Sequence, residues 1–386
     1  MTRSDDGSNL TAEERGRYAR HLMLPEVGLS GQQRLKNASV LCVGSGGLGS
    51  PILLYLAAAG IGRIGIVDDD VVDLSNLQRQ VIHGSDWLGR SKAQSAATRI
   101  AEINPHCQVD IYQQRLDVGN ALELIAPYDV VCDGTDNFPS RYLINDACVL
   151  LGKPLVYGSV QRFEGQASVF NCMADSPNYR DLLPEPPPAG EVPSCAEAGV
   201  MGVLPGLIGL IQATEVIKLV TGIGKLLDGR LLVVDGLTMR FRELSLRLDP
   251  DRLPIEGLID YTQFCKGHDS ARSGPVMNSI SVQELQPLLD QVASEVVLID
   301  VRNPAEADVA VIPGSHLIPL ATIESGEAVE RIRELASGRQ LFVHCKLGGR
   351  SAKAVQLLLE RGIPATNVEG GIDAWAEYID PSMPRY

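Results

Sequence analysis

Cys345 stands in QLFVHCKLGGRSAKAV, between an apolar run that reads as a strand and a stretch that reads as a helix. The turn joining them, Lys346-Leu347-Gly348-Gly349, is rich in glycine and is closed by Arg350. A thiolate at such a place is stabilised by converging backbone N–H groups, by the helix N-terminus and by cations, so Cys345 is expected to be a nucleophile. The alternative, a buried strand thiol, suits the polar continuation poorly. Cys195, in VPSCAEAGV beyond a proline-rich stretch, is the second thiol in unusual company; its plainer reading is an ordinary loop cysteine.

A second constellation lies near the other end of the chain. Gly44, Gly46, Gly47 and Gly49 in GSGGLGS follow an apolar strand and open a helix, and Asp68 ends the next strand about 20 residues on. Glycines there let backbone N–H groups approach a phosphate at a helix N-terminus, while an acidic residue accepts from ribose hydroxyls. This pattern alone means only a nucleotide, and a dinucleotide would be the default. The polar residues downstream argue for ATP: Asn76 and Arg79 in LSNLQRQ, Lys92 in GRSKAQ, and Asp136 in CDGTDN. Hydride transfer needs no such clamp. Ser91 is a plausible N-cap, placing Lys92 in a first helical turn where the macrodipole disfavours a cation unless polyphosphate is bound. Asp136, at the carboxyl end of a strand, suits a magnesium ion; otherwise it is an N-cap for the helix through YLINDACVLL.

The elements that must position these groups follow from periodicity. ASVLCVG, IGIVDDD, VDIYQQR and YDVVCDG alternate with helical stretches over the first 160 residues, which predicts a doubly wound, mostly parallel Rossmann-like sheet. A hairpin-like LVYGSVQRFEGQASVF, an exposed loop over 177–193, the helix-period VLPGLIGLIQATEVIKLV and two strands, RLLVVDG and RFRELSLRL, complete that domain. KGHDSARSGPVMN reads as a linker, after which VVLIDVR, QLFVHCK and AVQLLLERG start a smaller α/β domain. The expected organisation is therefore an α/β chain with a nucleotide-binding domain over 1–265, a linker over 266–278 and a second domain over 279–386.

Composition narrows the setting. A net charge of −14 over 386 residues argues against nucleic acid or an anionic membrane as partner. No apolar signal core precedes the first domain and no run reaches a membrane span, so a cytoplasmic protein is expected. The eight cysteines form no CxxC pair. Cys42, Cys132 and Cys148, inside apolar runs, read as packing.

RYARH, GSGGLGS, VDDDVVDLSNLQRQ, GRSKA, CDGTDN and SCAEAGVMG occur in the order seen in the MoeB/ThiF family, relatives of ubiquitin-activating enzymes, and the resemblance spans most of residues 14–265. It implies that ATP adenylates the C-terminal Gly-Gly carboxylate of a small ubiquitin-like sulfur carrier (MoaD/ThiS-like). It also implies that Gly46 and its neighbours cradle phosphate, that Asp68 takes the ribose, and that Asn76, Arg79 and Lys92 clamp the phosphates. Asp136 would position magnesium, with Asn137 beside it at the nucleotide. Arg20 of RYARH would reach the neighbouring subunit's ATP, so a homodimer is implied. Cys195 matches a family cysteine with a transient covalent role in sulfur handover.

The second domain resembles rhodaneses. Its loop holds four residues between Cys345 and Arg350, one fewer than a cysteine phosphatase, and LIDVRNPAEA near Asp300 and Arg302, VIPGSHLIP and EGGIDAWAEY agree. The resemblance implies that Cys345 accepts sulfane sulfur, from a donor such as a cysteine desulfurase or thiosulfate, and passes it to the carrier. Many MoeB/ThiF members hold a zinc ion with two CxxC pairs. Here those places fall at Asn178 and Asp181 and near Arg252 and Ile255, so no zinc is expected and the chain looks like the zinc-free MoeZ branch. The rival readings are an NAD-dependent oxidoreductase fused to a rhodanese, and a non-catalytic scaffold for a ubiquitin-like protein. Molybdopterin synthesis is one of several sulfur pathways the carrier would select.

Overall fold

The computed structural model describes residues 10–187, 199–266, 278–291 and 295–385. They fall into two compact units, one ending at 266 and one beginning at 278.

In the first unit β1 (Ser39–Val43), β2 (Arg63–Val67), β3 (Gln108–Tyr112), β4 (Val130–Asp133) and β5 (Leu155–Gln161) run parallel. β6 (Glu164–Phe170), β7 (Arg230–Asp235) and β8 (Arg240–Ser245) extend the sheet antiparallel, in the order β3-β2-β1-β4-β5-β6-β7-β8. All five residues of β1 are buried, as a central parallel strand covered on both faces requires. Helices Gly49–Ala59, Lys92–Ile103 and Val203–Thr221 share one apolar core with the sheet, and helix Phe138–Leu151 shares another with Tyr128, Tyr157, Phe170 and Tyr179. The sheet is thus doubly wound, as expected. Helix Val203–Thr221 is long and apolar enough to cross a membrane by composition. It instead packs on β5, β6 and helix Gly49–Ala59, and its Gln212 Nε2 donates to the carbonyls of Asp133 and Val156.

The second unit is an all-parallel sheet in the order β11-β10-β12-β13-β9, comprising β9 (Asn278–Ile280), β10 (Val296–Asp300), β11 (His316–Leu317), β12 (Gln340–His344) and β13 (Thr366–Val368). Asn278, assigned to the linker from sequence, opens β9. β10 and β12 lie side by side, so Asp300 and His344 are register partners at the ends from which the Cys345 turn departs.

Candidate functional site

Two sites emerge, one per unit. In the first, the ends of β1, β2 and β4 open onto a cavity of about 370 Å³. Gly44 has φ +90°, and a Cβ there would sit 2.9 Å from the Gly134 carbonyl oxygen, so the turns after β1 and β4 approach closely because neither residue has a side chain. Asp68 accepts from Ser45 N (2.7 Å), Ser45 Oγ (2.8 Å) and Asp70 N (3.0 Å). The carboxylate expected to take a ribose therefore also shapes the glycine turn. His83 braces the same turn: its Nε2 lies 3.0 Å from the Ser45 carbonyl, which can only accept, so this nitrogen carries the proton and Nδ1 accepts from Ser95 Oγ. Burial, helped by the Lys92 cation, holds His83 below the ordinary histidine range and thus neutral.

Ser91 caps helix Lys92–Ile103 through Gln94 N, as the sequence suggests, and Lys92 occupies the first helical position. Its side chain is only 7% exposed, and Nζ reaches Asp70 Oδ2 at 2.8 Å. Arg79 Nη1 donates to the Ser75 carbonyl (3.1 Å). Gly44, Gly46, Gly47, Asp68, Arg79 and Lys92 line the cavity, as do Asp136 and Asn137. Asp136 is exposed and does not cap the following helix; Asn137 does, accepting from Ser140 N at 3.0 Å. Asn137 is thus a capping residue at the cavity wall.

Two residues expected there, Gly49 and Asn76, do not reach that wall, and Arg20, expected at a neighbouring subunit's nucleotide, is absent from it too. Gly49 packs the helix start against the Gly44 carbonyl, from which a Cβ would be 2.1 Å away. Asn76 sits in the short turn Leu74–Asn76, and Arg20 is exposed on helix Ala19–Leu22. Sequence reasoning missed Gln80, Arg115, Thr135 and Arg141 on the wall. Arg115 follows β3 as Asp68 follows β2, and Arg141 lies one helical turn beyond Asn137, so both spacings were available. Arg141 is buried, donates from Nη2 to the Thr135 carbonyl (3.2 Å) and lies 3.9 Å from Asp133.

The second site is the turn after β12. Cys345 is fully buried, and its Sγ accepts from Gly348 N at 3.1 Å and lies 3.4 Å from Ser351 Oγ. Gly348, with φ +100°, caps helix Gly349–Glu360. The Arg350 guanidinium, expected to support the thiolate, forks onto both oxygens of Glu306 at 2.7 Å. Burial raises the affinity of Glu306 for its proton, but the Arg350 fork and the Asn303 amide outweigh that and hold it below the usual carboxylate range. The Arg350 charge is therefore largely compensated, and Gly348 N and Ser351 Oγ stand within hydrogen-bond reach of the sulfur. Leu347 is exposed at the turn while Lys346 is buried, and Asp300 and Arg302 form a buried pair that braces the floor. Elsewhere burial pushes the Cys42, Cys132 and Cys148 thiols well up, as unreactive packing thiols require. Cys195 lies outside the described residues, as does most of the expected linker.

At the places of the zinc-binding pairs, Asn178 and Asp181 form a capping box for helix Tyr179–Leu182. Asp181 also accepts from Arg252 Nη1 and from Asp249 N. An ion pair joins the two segments, and this donor set does not fit zinc.

Residues 18–254 match the ThiF family and residues 281–378 the rhodanese-like domain. The chain is 51% identical to a probable adenylyltransferase/sulfurtransferase MoeZ of Mycobacterium tuberculosis, across 99% of this chain and 98% of the relative. It is 43% identical to the adenylyltransferase and sulfurtransferase MOCS3 of Sus scrofa, across 98% and 89%. Among solved structures, E. coli MccB with ATP superposes with a TM-score of 0.54 at 19% identity over 64% of this chain and 75% of that one, which supports the fold.

Proposed function

The chain belongs to the ThiF family and carries a rhodanese-like domain behind its ThiF region, and from that premise we propose how its two sites divide the work of an adenylyltransferase and sulfurtransferase. A ubiquitin-like sulfur carrier presents its terminal Gly-Gly carboxylate to ATP in the first site; a carboxylate oxygen bonds to the α-phosphorus and pyrophosphate leaves. The carboxylate, a poor electrophile, becomes an acyl group with AMP as leaving group. Lys92 and Arg79 stabilise charge on the departing pyrophosphate, while the glycine turn and Asp68 hold phosphate and ribose. The carrying observation is Lys92, a buried cation held by Asp70 in a first helical turn at the cavity wall, where a bound polyphosphate would add the negative charge that this position favours.

Asp136, an exposed carboxylate on that wall, fits a magnesium ion, with the Asp68, Asp69 and Asp70 carboxylates nearby. Magnesium, when bound, neutralises phosphate charge. Arg20, exposed and absent from its own cavity, is assigned to the nucleotide of a second subunit. Exposed Met23, Leu24 and Leu29 beside it favour a homodimer. No zinc is assigned, because Asp181 and Arg252 satisfy each other.

Cys345 takes sulfane sulfur from a cysteine desulfurase or thiosulfate as a persulfide. Its terminal sulfur attacks the acyl carbon, AMP leaves, and an acyl disulfide forms. The Cys195 thiolate then attacks the Cys345 sulfur of that disulfide, releasing the carrier thiocarboxylate and leaving a Cys195–Cys345 disulfide that a dithiol reductant reopens. Reduced thiols of this kind suit a cytoplasmic setting. The domains proposed for the two chemistries are those read from the sequence as 1–265 and 279–386, extended to Lys266 and Asn278 by the helix and the strand that these residues join.

The test is to incubate the protein with candidate carriers, ATP and a sulfane donor, then weigh the carriers. A carrier heavier by the difference between sulfur and oxygen supports the scheme. ATP-dependent binding with no mass change in any carrier would leave only a scaffold.

A further inference from the structure

The turn around Cys345 is gripped from behind. Ile372 N donates to the Cys345 carbonyl at 2.9 Å, and Asp373 N donates to the Lys346 carbonyl at 3.1 Å. Both amides belong to the first turn of helix Gly371–Tyr378, where N–H groups have no partner within their own helix. A peptide unit is planar and trans, so its N–H points away from its C=O. Holding the carbonyls of Cys345 and Lys346 against this helix turns the N–H groups of Lys346 and Leu347 away from it. His344 Nδ1 adds to the grip, lying 3.3 Å from the Cys345 carbonyl. The contact is close enough to demand glycine. Gly371 has φ +55°, and a Cβ there would lie 2.3 Å from the Cys345 carbonyl oxygen and 2.5 Å from that of Lys346. From the other side Gly348, whose amide reaches Cys345 Sγ, packs on Gly370 N, 3.3 Å from where its own Cβ would be.

We propose that the N-terminus of helix Gly371–Tyr378 positions the sulfur-carrying turn, orienting its amides for a thiolate or persulfide, and that Gly371 is the positioning residue that permits the contact. Gly371 touches neither sulfur nor substrate; it acts through the carbonyls of Cys345 and Lys346. The inference rests on the reading of Cys345 as the sulfur-carrying thiol. Alkylation of Cys345 reports its thiolate directly, so the two can fail separately: wild-type protein that accepts no sulfane sulfur sinks the reading, whatever the variants do.

Gly371→Ala in the full chain should lower sulfur transfer from thiosulfate at least about ten-fold, the scale of losing one preorganised donor. The pH midpoint for iodoacetamide modification of Cys345, followed on its peptide by mass, should rise by roughly one unit. Carrier-dependent pyrophosphate exchange should not change. Gly362→Ala is the matched control, because Gly362 has φ +73° with open space around its Cβ position, so it carries backbone strain without a collision. If Gly362→Ala falls as far, strain alone explains the loss and the inference fails. Should Gly371→Ala not fold by circular dichroism, Asp373→Pro decides: it removes the amide that donates to the Lys346 carbonyl and sets its ring against that oxygen, breaking the contact from the helix side. It is read against Asp373→Ala, which keeps the amide. A lower rate and a raised midpoint in the proline variant support the inference; equal values in the two Asp373 variants, or wild-type values in folded Gly371→Ala, overturn it.

Discussion

Lys92 and Asp136 share a cavity wall but stand in opposite electrostatic situations. Lys92 is buried against Asp70, whereas Asp136 is exposed with no hydrogen bond among the described residues. Lys92→Ala should therefore remove a preorganised cation, and Asp136→Ala a hard oxygen ligand, and each should lower carrier-dependent pyrophosphate exchange by about a hundred-fold or more. Thiosulfate sulfurtransferase activity should persist in both; exchange that survives in either variant would return that residue to a surface or helix-terminal role. Ser351 offers a subtler case, since its one hydroxyl hydrogen faces two acceptors, Cys345 Sγ at 3.4 Å and the Gly348 carbonyl at 3.0 Å. Ser351→Ala keeps the Cβ and removes the donor, so sulfur loading should slow by up to about ten-fold, measured as thiosulfate turnover. Cys345 and Lys92 were legible in sequence because glycine turns and N-caps are local signals. Ser351 and Glu306 were not, because what selects them is a contact across the turn: Glu306 is 44 positions from the Arg350 it engages.

Helices and strands were legible where their pattern was long. β1 and β4 fall inside the runs read as strands, β2 begins one residue before its run, and Ser91 caps its helix as its type suggests. β9, β11 and β13 were not foreseen, since strands of two or three residues at or near a sheet edge leave no periodicity to read. The alternative reading of Asp136 as the cap of helix Phe138–Leu151 misses by one residue, because Asp136 and Asn137 are both good caps and only geometry separates them. The link between helix Tyr179–Leu182 and residues 249–252 rests on Asp181, whose side chain is wholly buried, and Arg252. Asp181→Ala would strand Arg252 and the Asp249 amide, so it should destabilise the first unit by about 3 kcal/mol, seen as a lower melting temperature. Added zinc should not restore it. In the second unit, burial of His344 pushes its pKa down to about 4, with Asp300 partly opposing and Arg302 assisting. The fold thus prefers neutral imidazole. Its contribution is complete above the ordinary value of 6.5 and is lost as pH falls toward about 4, because the unfolded chain takes up the proton first. That is worth roughly 3 kcal/mol. Between pH 6.5 and about 5, where most carboxylates are still ionised, unfolding of the wild-type unit should become easier with acid, and His344→Phe should flatten that slope.

At the scale of the whole molecule, the residues proposed for adenylation and those proposed for sulfur loading belong to different compact units, each with its own sheet and core. The two half-reactions should therefore be separable by single substitutions. Cys345→Ala removes the only thiol in the rhodanese-like region, so persulfide formation and thiocarboxylate production should both stop. Pyrophosphate exchange should continue near its original rate, and the acyl-adenylate should accumulate because its nucleophile is gone. Cys195→Ala should give a different profile: sulfur still loads on Cys345 and AMP still leaves, but the acyl disulfide persists until an external thiol opens it. Following pyrophosphate exchange, protein-bound sulfur and carrier mass on both variants distinguishes an early from a late block. If Cys345→Ala still made thiocarboxylate with a physiological donor, sulfur would have to enter elsewhere. The rhodanese-like unit would then be an accessory to an adenylating enzyme, and the gripped turn would need another use.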